Sequence, residues 1–151
     1  MDALNREILS LLQEDGRMST TELAGRVGLS LSACHRRVKE LERARAIRGY
    51  RAVLVPEVVG LTFEAIVFVT MGRTDAEAVR AFETAVEEVE SVVTAQRLFG
   101  DPDYILRVLT TDLDAFQRLY DARLARLPGV QRLSSTMVMR RVVEEGAIPV
   151  P

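Results

Sequence analysis

The sequence is short of the residues on which much protein chemistry depends. Its 151 residues include one cysteine, one histidine and no tryptophan. A single cysteine, Cys34, excludes an internal disulfide and is typical of a reducing compartment. One histidine and one cysteine make neither a metal-ligand set nor a nucleophile–base pair, so we expect no metal and no cofactor. The chain also lacks an N-terminal apolar signal region and a long uncharged apolar run, which predicts a soluble, cytoplasmic protein.

Acidic residues slightly outnumber basic ones in the whole chain, but the basic residues are concentrated near the N-terminus. The formal net charge is −2 at pH 7. Residues 1–55 hold ten Lys/Arg and seven Asp/Glu, whereas residues 56–151 hold ten and fifteen. A basic segment joined to an acidic one predicts two small domains with different partners. The hydrophobic content of 48% is enough to give them a core.

The first thirty residues have the spacing of two amphipathic helices. Apolar residues at helical intervals follow Asp2, which is predicted to be the N-cap of the first helix. Ser19 and Glu22 have the spacing of a capping box at the start of the second helix. That helix is predicted to end at Gly28, where glycine can adopt a positive φ.

A third helix, capped by Ser30, is predicted at about residues 31–45. The segment that follows, "IRGYRAVLV", alternates weakly around Gly49 and predicts a short β-hairpin or an extended wing. Three helices with a glycine turn between the second and third, followed by a β element, predict a winged helix-turn-helix domain over residues 1–55.

The third helix is predicted to be apolar on one face and cationic on the other. Cys34, Val38 and Leu41 fall on one stripe, which would pack on the first two helices. An exposed cationic helix of this size fits the major groove of B-DNA. The candidate DNA-binding residues are Ser30, Ser32, His35, Arg36, Arg37, Lys39 and Arg43.

These candidates are predicted to divide the work of binding. Ser32, His35 and Arg36 lie near the start of the helix, where side chains can reach base edges. Arg37, Lys39 and Arg43 are better placed for phosphates, which fix register without reading sequence. The alternative is an ordinary solvated helix face whose cations pair with Glu40 and Glu42; the turn spacing, capping and wing favour DNA binding.

The second half of the chain predicts a different fold. After a linker at residues 56–61, residues 62–151 show the order βαββαβ, with a helix capped by Thr74 and Glu77 and a hairpin closed by "GDPD". This order predicts a ferredoxin-like sandwich, in which helices cover one face of a four-stranded sheet. The fold class is therefore α+β, with a winged helix-turn-helix followed by the sandwich.

The first strand of this sandwich is apolar on both faces. Val67 and Val69 point to one side, and Ile66 and Phe68 point to the other. A sheet with helices on one face only should show a polar second face. We therefore expect another copy of the chain to cover the second face.

Together these segments resemble the Lrp/AsnC family, the feast/famine transcription regulators. Residues 4–56 are similar to the DNA-binding half of that family, and "GDPDYILRV" and "LPGVQRLSSTMVMRRV" are similar to its effector-binding half. The resemblance implies dimers that join through the βαββαβ domains into higher oligomers such as octamers. It also implies binding to double-stranded DNA that is modulated by a small effector, usually an amino acid.

The resemblance implies an effector site at the predicted hairpin. In the family, the corresponding hairpin lines a site between subunits. An amino acid needs an acceptor for its ammonium group and donors for its carboxylate. Asp101 or Asp103 could accept, and the main chain near Gly100 could donate. The candidate effector-binding residues are Gly100, Asp101, Asp103, Tyr104, Ser134 and Thr136, although Gly, Asp and Pro would also close a hairpin without a ligand.

Three functions compete on the sequence alone. The first is a sequence-specific transcription regulator that responds to an effector, and the second is an architectural protein that wraps DNA with no effector response. The third is an enzyme that uses Asp101 and Asp103. No base, nucleophile, metal set or phosphate-binding glycine loop accompanies these two carboxylates, so we do not expect an enzyme.

Overall fold

The computed structural model describes residues 1–144 and 146–151. It contains five α-helices and four β-strands in the order α1 α2 α3 β1 α4 β2 β3 α5 β4. The helices are α1 (Ala3–Glu14), α2 (Thr20–Arg26), α3 (Leu31–Arg43), α4 (Ala76–Glu87) and α5 (Leu113–Ala122); the strands are β1 (Phe63–Met71), β2 (Val92–Arg97), β3 (Tyr104–Thr110) and β4 (Val130–Met137). A short 3₁₀ turn at Leu124–Arg126 lies between α5 and β4.

The first three helices begin at the predicted caps. The side chains of Asp2, Ser19 and Ser30 each accept a hydrogen bond from the main-chain N–H three residues later, which confirms these N-caps. Glu22 makes an ion pair of 3.1 Å with Arg26. These three helices share a small core that includes Ile8, Leu23, Cys34 and Leu41, all buried.

The segment after α3 contains no strand. Of the two forms predicted for it, the β-hairpin is absent, because residues 44–62 hold turns and irregular chain only. The segment still contributes to the helical core through Ile47, whose N–H donates to the main-chain oxygen of Leu41 at 3.2 Å.

The second unit is a four-stranded antiparallel sheet with the strand order β2-β3-β1-β4. Its core is formed by one face of the sheet with α4, α5 and the 3₁₀ turn, and includes Val67, Phe82, Leu106 and Leu124. This arrangement confirms the ferredoxin-like fold and the α+β class. The cap of α4 was predicted one residue early: Asp75, not Thr74, accepts from the N–H three residues on, and its carboxylate is the stronger acceptor.

The boundaries of the two units differ from the sequence prediction at the C-terminus. The chain separates into one compact unit of Met1–Val53 with Val142–Pro151 and a second of Leu54–Arg141. The last ten residues were expected to belong to the sandwich, with its final strand reaching residue 142. Instead β4 ends at Met137, which pairs with Ala65 of the antiparallel strand β1. Only Phe63 and Glu64 precede Ala65 in β1, so little of that strand remains to pair with a longer β4.

Within residues 1–144 and 146–151, no helix combines the length and apolar character required to cross a membrane.

Candidate nucleic-acid interface and ligand site

Helix α3 separates its apolar and polar faces as its spacing predicts. Cys34 and Leu41 are buried against the other two helices, and burial raises the pKa of the Cys34 thiol, which leaves it an unreactive core residue. The exposed side chains are those of Ser30, Ser32, His35, Arg36, Lys39 and Arg43. The helix therefore presents a cationic surface, which we call the α3 surface, to anything that approaches the unit.

Two cations of the α3 surface are paired within their own helix. Arg36 lies 2.9 Å from Glu40, and Lys39 lies 2.8 Å from Glu42. The alternative prediction, that these glutamates pair with the cations, is therefore also seen in the structure. The Arg36 side chain is 66% exposed, and such pairs contribute only about 0.3–0.5 kcal/mol. Phosphate or a base edge can replace partners this weakly held.

Arg37 occupies a different place from the one predicted for it. Its side chain is only 22% exposed and donates hydrogen bonds to Asp2 at 2.6 Å and to Asn5 at 2.9 Å. The hydrogen bond from Arg37 also lowers the pKa of the Asp2 carboxyl. Arg37 thus joins α3 to the cap of α1, which is a structural role, and its guanidinium is not presented with the cations of the α3 surface.

Ser30 and Ser32 lie close together at the start of α3. The hydroxyl of Ser30 accepts from the N–H of Ala33 at 3.3 Å and lies 3.3 Å from the Ser32 hydroxyl. Ser30 therefore has its acceptor occupied as a helix cap, whereas Ser32 projects from the first turn of the helix and is exposed.

The predicted ligand hairpin joins β2 to β3. Gly100 has a φ of 142°, which favours glycine, and no atom approaches within 4 Å of the place where a side chain would begin. Asp101 is 78% exposed and lies 4.0 Å from the guanidinium of Arg132 on β4. Arg132 was missed in the sequence because its signal, two-residue spacing from Ser134, becomes meaningful only when β4 is placed beside the hairpin.

Asp103 is occupied in holding the hairpin to the end of β1. One of its carboxylate oxygens accepts the N–H of Met71 at 2.7 Å, and its own N–H donates to Val69 at 2.9 Å. Its main-chain oxygen accepts from Leu98 at 2.7 Å. Of the two aspartates predicted as ammonium acceptors, Asp101 is the one that remains open.

Tyr104 points into the core rather than toward a ligand. Its ring lies 4.4 Å from the ring of Phe82, and its hydroxyl donates to Glu83 at 2.9 Å. Burial, followed by the hydrogen bond to Glu83, raises the pKa of Tyr104 to about 12. Its side chain therefore anchors β3, and only its main chain is available to the hairpin.

Ser134 and Thr136 are exposed on the sheet face opposite α4 and α5. They lie opposite Phe68 and Ile66 on β1, so all four side chains share this face, which we call the open face. Arg132 belongs to the same face by its two-residue spacing. The structure thus brings Asp101, Arg132 and the two hydroxyls to one side of the sheet, and it separates them from Asp103 and Tyr104.

A partly buried ion cluster, which the sequence did not reveal, lies on the open face near the start of the central strand β1. The Glu64 side chain, 9% exposed, accepts from Arg107 at 2.7 Å and from Arg141 at 2.6 Å. Arg141 also reaches Glu57 at 3.0 Å. Burial alone would raise the pKa of Glu64, but the hydrogen bonds from the two guanidinium groups outweigh it and lower that pKa.

Family models match both units of the chain. A model described as the AsnC-type helix-turn-helix domain matches residues 1–42, and one described as the Lrp/AsnC ligand binding domain matches residues 64–148. The two matches follow the order expected from the fold and together leave out only a short linking segment and the last residues.

Whole-chain relatives agree with these models. The leucine-responsive regulatory protein of Escherichia coli strain K12 is 36% identical over 148 residues, which are 98% of this chain and 90% of the relative. A transcriptional regulator of Neisseria meningitidis, solved with L-Met, is 36% identical with a TM-score of 0.92, covering 99% of this chain and 96% of its own. An AsnC family regulator of Agrobacterium tumefaciens is 33% identical with a TM-score of 0.92, covering 99% and 97%. These relatives are regulators and not enzymes, and the chain belongs to the Lrp/AsnC family of transcriptional regulators.

Proposed function

We propose that this protein is a sequence-specific DNA-binding regulator, acting in the cytoplasm, whose assembly or DNA affinity is modulated by an amino acid. The observation that carries the proposal is the α3 surface: an exposed helix with its apolar stripe buried and its cations turned outward. Such a helix can enter the major groove of double-stranded DNA with its first turns against base edges.

The structure refines which residues of α3 we assign to DNA. Ser32, His35 and Arg36 are exposed on its first half and are proposed to read bases, whereas Lys39 and Arg43 are proposed to bind phosphates. Ser30 contributes chiefly by capping the helix, because its hydroxyl accepts the N–H of Ala33. Arg37 is proposed to hold the helix in place.

The proposed effector is an amino acid that binds beside the hairpin on the open face. Asp101 would accept the ammonium group, and Arg132 with the main chain at Gly100 would hold the carboxylate. Ser134 lies two residues from Arg132 on the same face and offers a hydroxyl. The Neisseria meningitidis relative solved with L-Met supports an amino acid as the class of ligand.

A second copy of the chain is proposed to cover the open face. Ile66 and Phe68 lie at its centre, and Ile105 is paired opposite Phe68 on β3, so an apolar strip crosses the sheet face opposite α4 and α5. Burial of this strip against its copy removes apolar surface from water, at about 25 cal/mol per Å². The proposed unit is a homodimer, and the family resemblance extends it to an octamer.

Footprinting with Arg36→Ala tests the DNA-binding proposal. The wild type should protect a discrete, near-palindromic site, and Arg36→Ala should weaken binding there by roughly 1–3 kcal/mol while binding to unrelated DNA changes little. Broad protection without a preferred sequence would favour the architectural alternative. Equal losses on all DNA would remove Arg36 from base reading, and Arg26→Ala on α2 provides a matched control with the same charge change.

A further inference from the structure

The last residues of the chain lie against the DNA-binding unit. Residues 146–151, which we call the tail, have the sequence GAIPVP. A cavity of about 740 Å³ lies between the tail and the rest of this unit. Its walls come from Met1, from Leu9, Leu12 and Gln13 of α1, from residues 46–51 after α3, and from residues 148–151 of the tail. We call the non-tail part of this wall the tail groove.

Gln13 binds the main chain of the tail. Its side-chain N–H donates to the main-chain oxygen of Ile148 at 3.1 Å, and its side-chain oxygen accepts the N–H of Ile148 at 2.7 Å. A glutamine amide has a donor and an acceptor side by side, as one residue of a β-strand has. Gln13 therefore pairs with a single residue of an extended segment and fixes its position in the groove.

The composition of the tail suits this form of binding. Pro149 and Pro151 have no N–H, so from residue 148 onward only Ile148 and Val150 can donate from the main chain. Alternating prolines also favour extended chain before binding, which reduces the entropy lost on docking. Proline-containing segments of this kind bind in apolar grooves with an aromatic wall, and Tyr50 provides that wall here.

The docked tail is held shallowly. The Ile148 side chain remains largely exposed, and of the tail residues only Val150 is partly buried. Few apolar contacts and two hydrogen bonds at an exposed site hold a segment weakly, so opening requires little free energy.

We propose that the tail groove is a peptide-docking site and that its occupant is the tail of the same chain, bound reversibly through Gln13. The chain passes from the second unit to the first at residues 141–142, before the tail begins. The tail groove shares no residue with the α3 surface or with the proposed effector residues.

Docking has a consequence for the wall that carries Arg48 and Arg51. These cations follow α3 closely in sequence and lie in the segment that lines the same cavity as the tail. Occupancy by the tail should restrict that segment, and release should let it move. An effect on DNA affinity would rest on the proposed DNA-binding function, so the docking itself is best tested without DNA.

Because the chain contains no tryptophan, a single introduced tryptophan can be observed by fluorescence without background from another. Tyr50→Trp places one fluorophore in the wall of the tail groove. In this background we compare the full chain, a chain ending at residue 145, and the full chain with Gln13→Leu. Loss of the tail or of its Gln13 hydrogen bonds should move the emission maximum to longer wavelength. The matched control is Gln117→Leu, an exposed glutamine on α5 that should leave the emission unchanged.

A synthetic GAIPVP peptide tests recognition directly. Added to the truncated chain, it should reverse the shift with an apparent Kd on the order of 1 mM, because a weakly docked tail has a Kd close to the effective concentration that a short tether provides. A peptide methylated at the isoleucine nitrogen loses the N–H that Gln13 accepts and should bind about five- to tenfold more weakly. Circular dichroism checks that each variant is folded, and the Gln13→Leu chain provides the comparison if truncation unfolds the unit. Identical emission from all folded variants, or equal action of the two peptides, would overturn the proposal.

Discussion

The two units of this protein place charge and apolar surface in opposite ways. In the first unit, the pairs of Arg36 with Glu40 and of Lys39 with Glu42 are exposed on a single helix. In the second, Glu64 is nearly buried between Arg107 and Arg141, while the apolar side chains of the open face lie on the side of the sheet opposite α4 and α5.

This difference distinguishes charged residues that are available to bind a ligand from charged residues that stabilise the fold. Exposed pairs within one helix contribute little to stability and can exchange their partners for a ligand. A half-buried carboxylate with two guanidinium partners cannot give up either without leaving an uncompensated charge. We therefore expect changes in the second unit to affect assembly and stability most, and changes in the first unit to affect binding.

The largest effect is expected from Phe68→Asp at the centre of the open face. If a second copy covers this face, the change removes a large apolar contact and buries a charge, which should weaken association by roughly 3–5 kcal/mol and dissociate the dimer. Sedimentation velocity of the full chain measures this. Ser135 follows Ser134, the residue of β4 that pairs with Phe68, and lies on the opposite face of the sheet. Ser135→Asp therefore adds the same charge away from the open face and should leave the assembly intact. A monomeric wild type would contradict the proposed use of this face.

Next in size is Glu64→Gln, which breaks the ion cluster. Two guanidinium groups would lose their carboxylate partner, and we expect the free energy of unfolding to fall by roughly 2–4 kcal/mol. The loss is not larger because both arginines keep some contact with solvent, which screens their charge. Chemical denaturation at pH 7 measures this, with Glu87→Gln on exposed α4 surface as the matched control. A loss no larger than that of the control would mean that the cluster is as dispensable as the exposed pairs.

The same cluster predicts a pH dependence. The folded-state pKa of Glu64 is lowered from its ordinary value of 4.5, so its contribution is fully present above that value and is lost as pH falls through the folded-state pKa. Wild-type stability should therefore fall below about pH 4.5 more steeply than that of Glu64→Gln. Parallel curves for the two proteins would show that Glu64 does not account for the acid sensitivity.

The difference between the units also explains what could be predicted from sequence. The α3 surface depends on local spacing and capping within one helix, and so its orientation followed from the order of residues. Arg37 escaped that analysis because its partner Asp2 lies 35 residues away. Arg132 near Asp101, and Glu64 between Arg107 and Arg141, required strand register, which no local pattern specifies.

The tail illustrates a third limit. Its apolar and proline residues resemble an ordinary disordered end, and its partner Gln13 lies on a helix with no distinguishing pattern. The last strand was predicted too long because alternation continues past Met137, whereas the partner strand β1 offers only Glu64 and Phe63 beyond the pair of Ala65 with Met137. Periodicity describes what one segment can form, whereas its end is decided by what lies beside it.

Arg37→Ala and Lys39→Ala contrast a half-buried and an exposed cation on one helix. Arg37→Ala should lower the free energy of unfolding measurably, because it removes the two hydrogen bonds from Arg37 to Asp2 and Asn5. Lys39→Ala should leave stability within about 0.5 kcal/mol of wild type and reduce the salt slope of DNA binding by about one. Thermal unfolding and DNA titrations at several salt concentrations measure both. If Arg37→Ala instead reduced the salt slope of DNA binding and left stability unchanged, Arg37 would be a phosphate-binding residue, as the sequence predicts.

The smallest structural change with a functional consequence is expected at the hairpin. Asp101→Asn keeps the shape of an exposed side chain and removes the charge proposed to hold an ammonium group, so it should abolish the amino-acid response. Asp103→Asn is the matched comparison: its oxygen can still accept the N–H of Met71, and the response should persist.

A ligand alters DNA binding only through a difference in affinity between two states, which is typically on the order of 1–3 kcal/mol, and DNA must change ligand affinity by the same factor. Calorimetric titration with a panel of amino acids, followed by DNA binding with the best ligand, measures both directions. Ligand-free DNA affinity should stay within a few-fold of wild type in both variants, since neither aspartate is near the helices of the DNA-binding unit in sequence. If no amino acid binds the wild type, or if Asp101→Asn responds as the wild type does, residues 100–104 form a turn and not a binding site.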